Sequence, residues 1–237
     1  MSWLGASRLD VGVVIVAAGA GARAGPGEPK QFRPILGVPL LLRALRPFTS
    51  HPEVGRVVVA VPAGLETRPP DWLGKVVGER LVLVAGGATR AQSVQAGLRA
   101  LPEGAGVVLV HDGARPFVSR ETIDAVIAKA RTGVGAVAAV PENDTIKEVV
   151  EGSRITRTVA RERLWRAQTP QGFPRDMIER AYAVLRNGDP APPPTDDAAL
   201  CERAGFAVEV VPDSPANFKV TTADDFRIAE ALAREPR

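Results

Sequence analysis

The sequence predicts an α/β protein with a doubly wound, mostly parallel, Rossmann-like sheet carrying a protruding β-hairpin arm. Three observations carry this expectation. Short Val-, Leu- and Ala-rich runs recur along the chain, stretches with helical spacing of apolar residues separate them, and one later segment switches to strict alternation. The 237 residues, 45% hydrophobic and 24% charged, hold enough apolar material for one substantial core. The reading is therefore a single domain over 1–237 with one excursion at 141–161.

The first elements follow from the apolar runs. Residues 11–16, 57–61, 81–84, 107–110 and 134–140 are continuous β-branched or small apolar stretches. Runs of this length, bounded by polar segments, fit strands buried on both faces. Leu41, Ala44, Leu45 and Phe48 share one helical face after the first strand, and Val94, Leu98 and Leu101 share another after the third. Residues 145–150 and 154–159 then alternate apolar with polar around Glu151-Gly152-Ser153, which predicts a hairpin. A hairpin leaving a parallel sheet has few core partners, so its apolar side is expected to meet a second copy of the chain, the alternative being a hairpin folded onto its own domain. The last third supplies a helix from Arg175 to about Arg186, a Pro-rich loop through 191–194, and a helix carrying Ala198, Leu200 and Ala204, capped by Thr195 or Asp196. A strand at 207–211 and a helix at 223–232 close the chain.

Charge and composition narrow the partners. Thirty Lys+Arg residues are scattered among 27 acids, for a net charge of +3, which suits a small anionic substrate and not a nucleic-acid groove. The single cysteine, Cys201, permits no internal disulfide and reads as a small core residue on a helix. The opening residues lack the apolar segment of a secretion signal, and the run from Val11 to Ala18 is too short to span a bilayer, so a cytoplasmic protein without membrane contact is expected.

Three segments carry chemistry. The first is Ala17-Ala18-Gly19-Ala20-Gly21-Ala22-Arg23, directly after the first strand and followed by Pro29-Lys30-Gln31. Small residues let the backbone approach a phosphate chain, while Arg23 and Lys30 supply cations. Gly19-x-Gly21-x-x-Ala24 also fits a dinucleotide fingerprint, but the second strand ends Val59-Ala60-Val61-Pro62-Ala63 with no acid for a ribose. A Gly-Lys-Ser/Thr closure is missing too. The second segment is His111-Asp112-Gly113-Ala114-Arg115-Pro116, after the fourth strand. Ligands of an open parallel sheet bind beyond the carboxyl ends of its strands, so Asp112 should share a crevice with the first loop, where one carboxylate beside a triphosphate can hold Mg2+. His111 reads as structural, and with His51 the only other histidine a zinc site is not expected. The third is Gly86-Gly87-Ala88-Thr89-Arg90-Ala91-Gln92-Ser93, a turn that can press backbone groups and Ser93 against a base edge.

Together with Ala167-Gln168-Thr169-Pro170-Gln171, Thr195-Asp196-Asp197-Ala198 and Asn217-Phe218-Lys219-Val220-Thr221, these segments closely resemble the 2-C-methyl-D-erythritol 4-phosphate cytidylyltransferase family over nearly the whole chain. The resemblance implies transfer of a cytidylyl group from CTP to a sugar-alcohol phosphate, with Mg2+ on Asp112. It implies Arg23 and Lys30 as transition-state stabilisers, and contacts to cytidine from Ala17, Ala18, Gly19, Gly87, Ala88 and Ser93. Arg161 and Lys219 would position the acceptor phosphate, supported by Arg115, Thr169, Thr195 and Asp196. It also implies an arm exchanged across a homodimer, so that Thr145 and Arg161 serve the partner's site. Ala88, Gly113 and Ala160 depart from the residues more usual there. A cytidylyltransferase for another polyol phosphate, such as ribitol 5-phosphate, and a non-catalytic nucleotide-binding module are the alternatives.

Overall fold

Val11–Val16 forms β1, the strand about which the sheet is arranged. In the computed structural model, which describes residues 9–19, 29–150, 152–186 and 194–235, a small pair follows, β2 (Pro34–Ile35) and β3 (Val38–Pro39), and then α1 (Leu40–Thr49). Next come β4 (Val54–Val61), the one-turn α2 (Asp71–Gly74), β5 (Leu81–Ala85), α3 (Arg90–Ala100), β6 (Val107–Asp112), α4 (Arg120–Ala130) and β7 (Gly135–Pro141). The hairpin β8 (Ile146–Val149) and β9 (Ile155–Val159) interrupts this βα rhythm. β10 (Trp165–Pro174), α5 (Arg175–Arg186), α6 (Asp197–Arg203), β11 (Val208–Pro212) and α7 (Ala223–Ala233) complete the order.

The seven-stranded sheet runs β11-β7-β10-β6-β1-β4-β5. β1 pairs in parallel with β4 on one side and β6 on the other, and β10 alone lies antiparallel, between β6 and β7. The chain thus winds outward from β1 through β4 to β5, then returns to β6 across β1. Such a reversal opens a crevice at the carboxyl ends of the two diverging strands.

Alternation along β1 builds two cores. Val11, Val13 and Ile15 pack with Leu41, Leu45 and Phe48 of α1 and Ile123, Val126 and Ile127 of α4. Val14, with Val58, Val108 and Val110, packs on the opposite face against Val94 and Leu98 of α3 and Met177 and Ile178 of α5. A strand covered on both faces must be apolar throughout, which is why these runs form continuous blocks in the sequence. A third cluster, Ile35, Leu40, Phe117, Val220, Phe226 and Ala229, fastens α7 and the segment before it beneath the crevice.

The structure departs from the sequence expectation at β10. Its ten residues include Gln168, Thr169, Pro170, Gln171 and Gly172, a composition poor in strand formers, yet it sits centrally and is buried from Gln168 to Phe173. Its pairing with β7 breaks between Ala167 and Gln171, so that the polar stretch faces the end of β6 without completing a ladder. The hairpin forms as expected, with Ile146 opposite Val159, and Gly152 in its turn adopts φ +79°. Glu151 and most of the Pro-rich loop at 191–194 lie outside the described residues. Among the described residues no helix is long and apolar enough to cross a membrane.

Candidate active site

The end of β1 sets the floor of the site. Once the ladder stops at Val16, the side-chain amide of the buried Gln31 donates to the carbonyls of Ala17 at 2.9 Å and Gly19 at 3.2 Å. This holds the strand exit open toward the crevice. Gly86, after β5, passes so close that an added Cβ would lie 2.3 Å from the Cβ of Ala18, so this position needs glycine for the two loops to meet. Beyond it Ser93 ties the turn: its hydroxyl accepts from Gly87 N at 3.1 Å and donates to Thr89 O at 3.0 Å. Ser93 is therefore committed to shaping the turn that carries Gly87 and Ala88.

These loops enclose a cavity of about 590 Å3, lined by Ala17, Ala18, Gly19, Lys30, Gly87, Ala88, Ser93, Asp112 and Lys219 of the sequence-derived candidates. Gln31 and Arg90 also line it. Gly21 and Arg23 lie outside the described residues. Asp112, the carboxylate among the described lining residues, is 8% exposed. Lys219 Nζ approaches its Oδ2 at 2.8 Å, Arg115 Nε the same oxygen at 3.8 Å, and Arg90 Nε its Oδ1 at 3.4 Å. Burial alone would raise its pKa, but Lys219, Arg90 and Arg115 outweigh burial and hold the carboxyl well below the ordinary range. Lys30 Nζ donates to Val220 O at 2.9 Å, next to Lys219, and both lysines line the cavity.

Behind Asp112 the polar groups interlock. His111 is fully buried, and burial pushes its imidazole down to about 4. Its Nε2 lies 3.0 Å from the Arg115 carbonyl, which only accepts, so Nε2 carries the proton. Nδ1 then accepts from the Thr169 hydroxyl at 3.0 Å, and that oxygen accepts the Asp112 amide at 3.0 Å. Thr169 is thus turned inward against β6. Asn217 donates to Thr169 O at 2.8 Å and to Asp213 at 2.6 Å, while its backbone carbonyl takes Arg115 at 2.7 Å.

The remaining candidates sit apart from this cavity. Asp196 is the N-cap of α6, accepting from Ala199 N at 2.9 Å, and takes Gln171 Nε2 at 2.8 Å on its other oxygen; Thr195 is exposed beside it. Thr145 and Arg161 are exposed at the base of the arm, where Arg161 donates to the Asn143 carbonyl, and neither lines the cavity of its own chain. Arg90 was missed by the sequence reading. A signal existed: Arg90 is the first residue of α3, where the helix dipole disfavours a cation, and such a residue calls for a local acid.

Among the described lining residues Asp112 is the one carboxylate able to ligate a hard cation such as Mg2+, which would have to take its other ligands from phosphate and water, while Lys30 and Lys219 are cations suited to the phosphates and not to the metal. Among the described residues no group of three His, Cys, Asp or Glu could cage a metal alone.

A small-residue strand exit facing cations across the switch point of a mostly parallel sheet has the form of an α/β nucleotide-binding site, and the family that the chain matches makes it a nucleotidyltransferase. More particularly, the chain belongs to the 2-C-methyl-D-erythritol 4-phosphate cytidylyltransferase (IspD) family, whose model matches residues 11–235. Its relatives include the 2-C-methyl-D-erythritol 4-phosphate cytidylyltransferases of Salinibacter ruber, 44% identical over 93% of this chain and 91% of that one, and of Streptomyces coelicolor, 42% identical over 98% and 88%. The crystal structure of the Thermus thermophilus enzyme superposes with a TM-score of 0.78 at 37% identity, covering 95% of this chain and all of the other.

Proposed function

We infer that the protein transfers the cytidylyl group of CTP to 2-C-methyl-D-erythritol 4-phosphate and releases pyrophosphate. The observation that carries the reading is the convergence of Lys30, Lys219 and Asp112 on one cavity floored by Ala17–Gly19. A phosphomonoester is about −1.5 to −2 charged near neutral pH, so the acceptor oxygen is already a nucleophile and needs no general base. It attacks the α-phosphorus of CTP; the new O–P bond forms as the bond to the bridging oxygen of the β-phosphate breaks, and that oxygen leaves with the electron pair.

The barrier is the approach of two anions. In this reading Lys30, with Arg23, neutralises charge that gathers on the α-phosphate and the leaving group, and Lys219 holds the acceptor phosphate in line. Asp112 would hold Mg2+, which when bound supplies further neutralisation of the triphosphate. Gly87 and Ala88 present backbone to the base, with Ser93 fixing their turn. Arg115, Thr169, Thr195 and Asp196 support the acceptor side. The arm is taken to join a homodimer and to bring Thr145 and Arg161 to the partner's cavity, in the cytosol where CTP is available.

Pyrophosphate release from CTP, with and without Mg2+, tests the reading when 2-C-methyl-D-erythritol 4-phosphate is compared with ribitol 5-phosphate. Faster turnover of ribitol 5-phosphate would reassign the acceptor, and nucleotide binding without turnover would leave only a binding module. Lys30→Ala is expected to lower kcat by about 10^2-fold or more while the KM for CTP changes little. A change confined to KM would mean that Lys30 only binds the ground state.

A further inference from the structure

Arg90 is held at both ends. Its Nη1 lies 2.7 Å from Asp197 Oδ2, an ion pair without hydrogen-bond alignment, and its Nε donates to Asp112 Oδ1 at 3.4 Å. Asp197 is fully buried, and the hydroxyl of the buried Tyr182 donates to its Oδ1 at 2.6 Å. Burial would lower the Arg90 pKa, but Asp197 and Asp112 outweigh it and the guanidinium stays firmly charged. Burial, reinforced by Asp197, raises the Tyr182 pKa, so its hydroxyl remains a donor. A continuous polar chain therefore runs from Tyr182 on α5, through Asp197 on α6 and Arg90 on α3, to Asp112 at the end of β6.

The two oxygens of Asp112 are not equivalent. Oδ1 faces Arg90, a cation braced by a carboxylate with no exposed surface. Oδ2 faces Lys219, a long flexible cation whose side chain is 39% exposed, with the more buried Arg115 Nε farther off at 3.8 Å. When a ligand enters, the braced contact resists displacement and the lysine contact yields. A buried carboxylate given up to a single arginine is costly unless that arginine is held in return, and Tyr182 completes the arrangement.

We infer that Arg90 is a positioning residue for the transfer reaction: braced by Asp197 and Tyr182, it fixes the rotation of the Asp112 carboxylate and leaves Oδ2 to meet the metal–nucleotide. The inference rests on the reading of Asp112 as the carboxylate that holds the metal. It assigns to Asp197 and Tyr182 an effect on the site although neither lines the cavity.

The test uses the full chain and the variants R90Q, D197N, R90Q/D197N and Y182F, with D112N as reference. Metal half-saturation and kcat are measured with Mg2+, and Mn2+ binding in the presence of CTP is followed by electron paramagnetic resonance without turnover. R90Q and D197N are each expected to weaken Mn2+ binding and lower kcat by about tenfold to a hundredfold. The acceptor KM and metal-free CTP affinity by calorimetry should stay within about twofold, because neither contact is made directly. The double variant should be no worse than R90Q, since Asp197 acts through Arg90, and Y182F should shift Mn2+ binding in the same direction by a smaller factor. Unchanged Mn2+ binding in R90Q, or effects of R90Q and D197N that multiply, would overturn the inference. A collapse of metal-free CTP affinity in R90Q would also overturn it and make Arg90 a direct phosphate ligand. If D197N fails to fold, R90Q and Y182F still decide. If D112N keeps wild-type Mn2+ binding, the reading of Asp112 itself fails; if D112N loses it while R90Q does not, only the role of Arg90 fails.

Discussion

His111 has both ring nitrogens assigned by their partners, and that assignment gives it a pH signature. The folded protein keeps the imidazole neutral until about pH 4, whereas an unfolded chain protonates near the ordinary value of 6.5. Between those values the unfolded state binds more protons, so stability falls as pH drops from about 6.5 to about 4 and levels off below. The interval corresponds to about 3 kcal/mol if the full difference is realised. Urea unfolding across that range is expected to show the decline, and His111→Asn should flatten it; a decline of equal size in the variant would place its origin elsewhere. Residues of the site were legible where their type was unusual for their place: Lys30 after a glycine-rich strand exit, Asp112 closing an apolar strand. Asp197 and Tyr182 were not, because an acid in the first turn of a helix and a tyrosine on an apolar helix face are common in any protein. Only their mutual distance, 2.6 Å across two helices, marks them.

Among the elements, α3 joins stability to the site most directly. Thr89 is its N-cap, accepting from Gln92 N at 3.1 Å while Gln92 Oε1 accepts from Thr89 N at 3.1 Å, a reciprocal box. Ser93 hangs from the carbonyl of the same Thr89 and supports Gly87, so the cap also sets the turn proposed to meet the base. Thr89→Ala is expected to cost about 1 kcal/mol in denaturant unfolding. It should also raise the KM for CTP more than that for the acceptor; equal changes would separate the cap from the base. The capping box is readable from Thr89-x-x-Gln92, as the strands were from their apolar runs. β10 was not readable, because its identity comes from tertiary position: Gln168 and Asn217 bond across the sheet end, and Gln171 reaches α6, so polar residues are satisfied by partners far along the chain. Local propensity carries no trace of such partners.

At the scale of the whole molecule the arm has its own chemistry. β8 and β9 form a separate two-stranded sheet whose side chains are largely exposed. Val149 and Ile155 are cross-strand partners, 55% and 56% exposed, which puts two large apolar groups side by side in water. A lone ribbon of this kind is marginal, and cover by a second chain would remove the apolar surface from solvent. Val149→Lys with Ile155→Lys is then expected to convert a dimer to a monomer in sedimentation at micromolar concentration and to lower activity with it. Complementation separates an exchanged arm from one that serves its own chain. Arg161→Ala leaves the cavity intact and spoils the arm; Lys30→Ala leaves the arm and spoils the cavity. In random co-assembly about half the dimers are mixed, and each mixed dimer holds one intact cavity facing one intact arm, so about a quarter of wild-type activity should return. Were each arm to serve its own cavity, no chain in the mixture would carry both intact parts, and activity would stay at the level of the single variants.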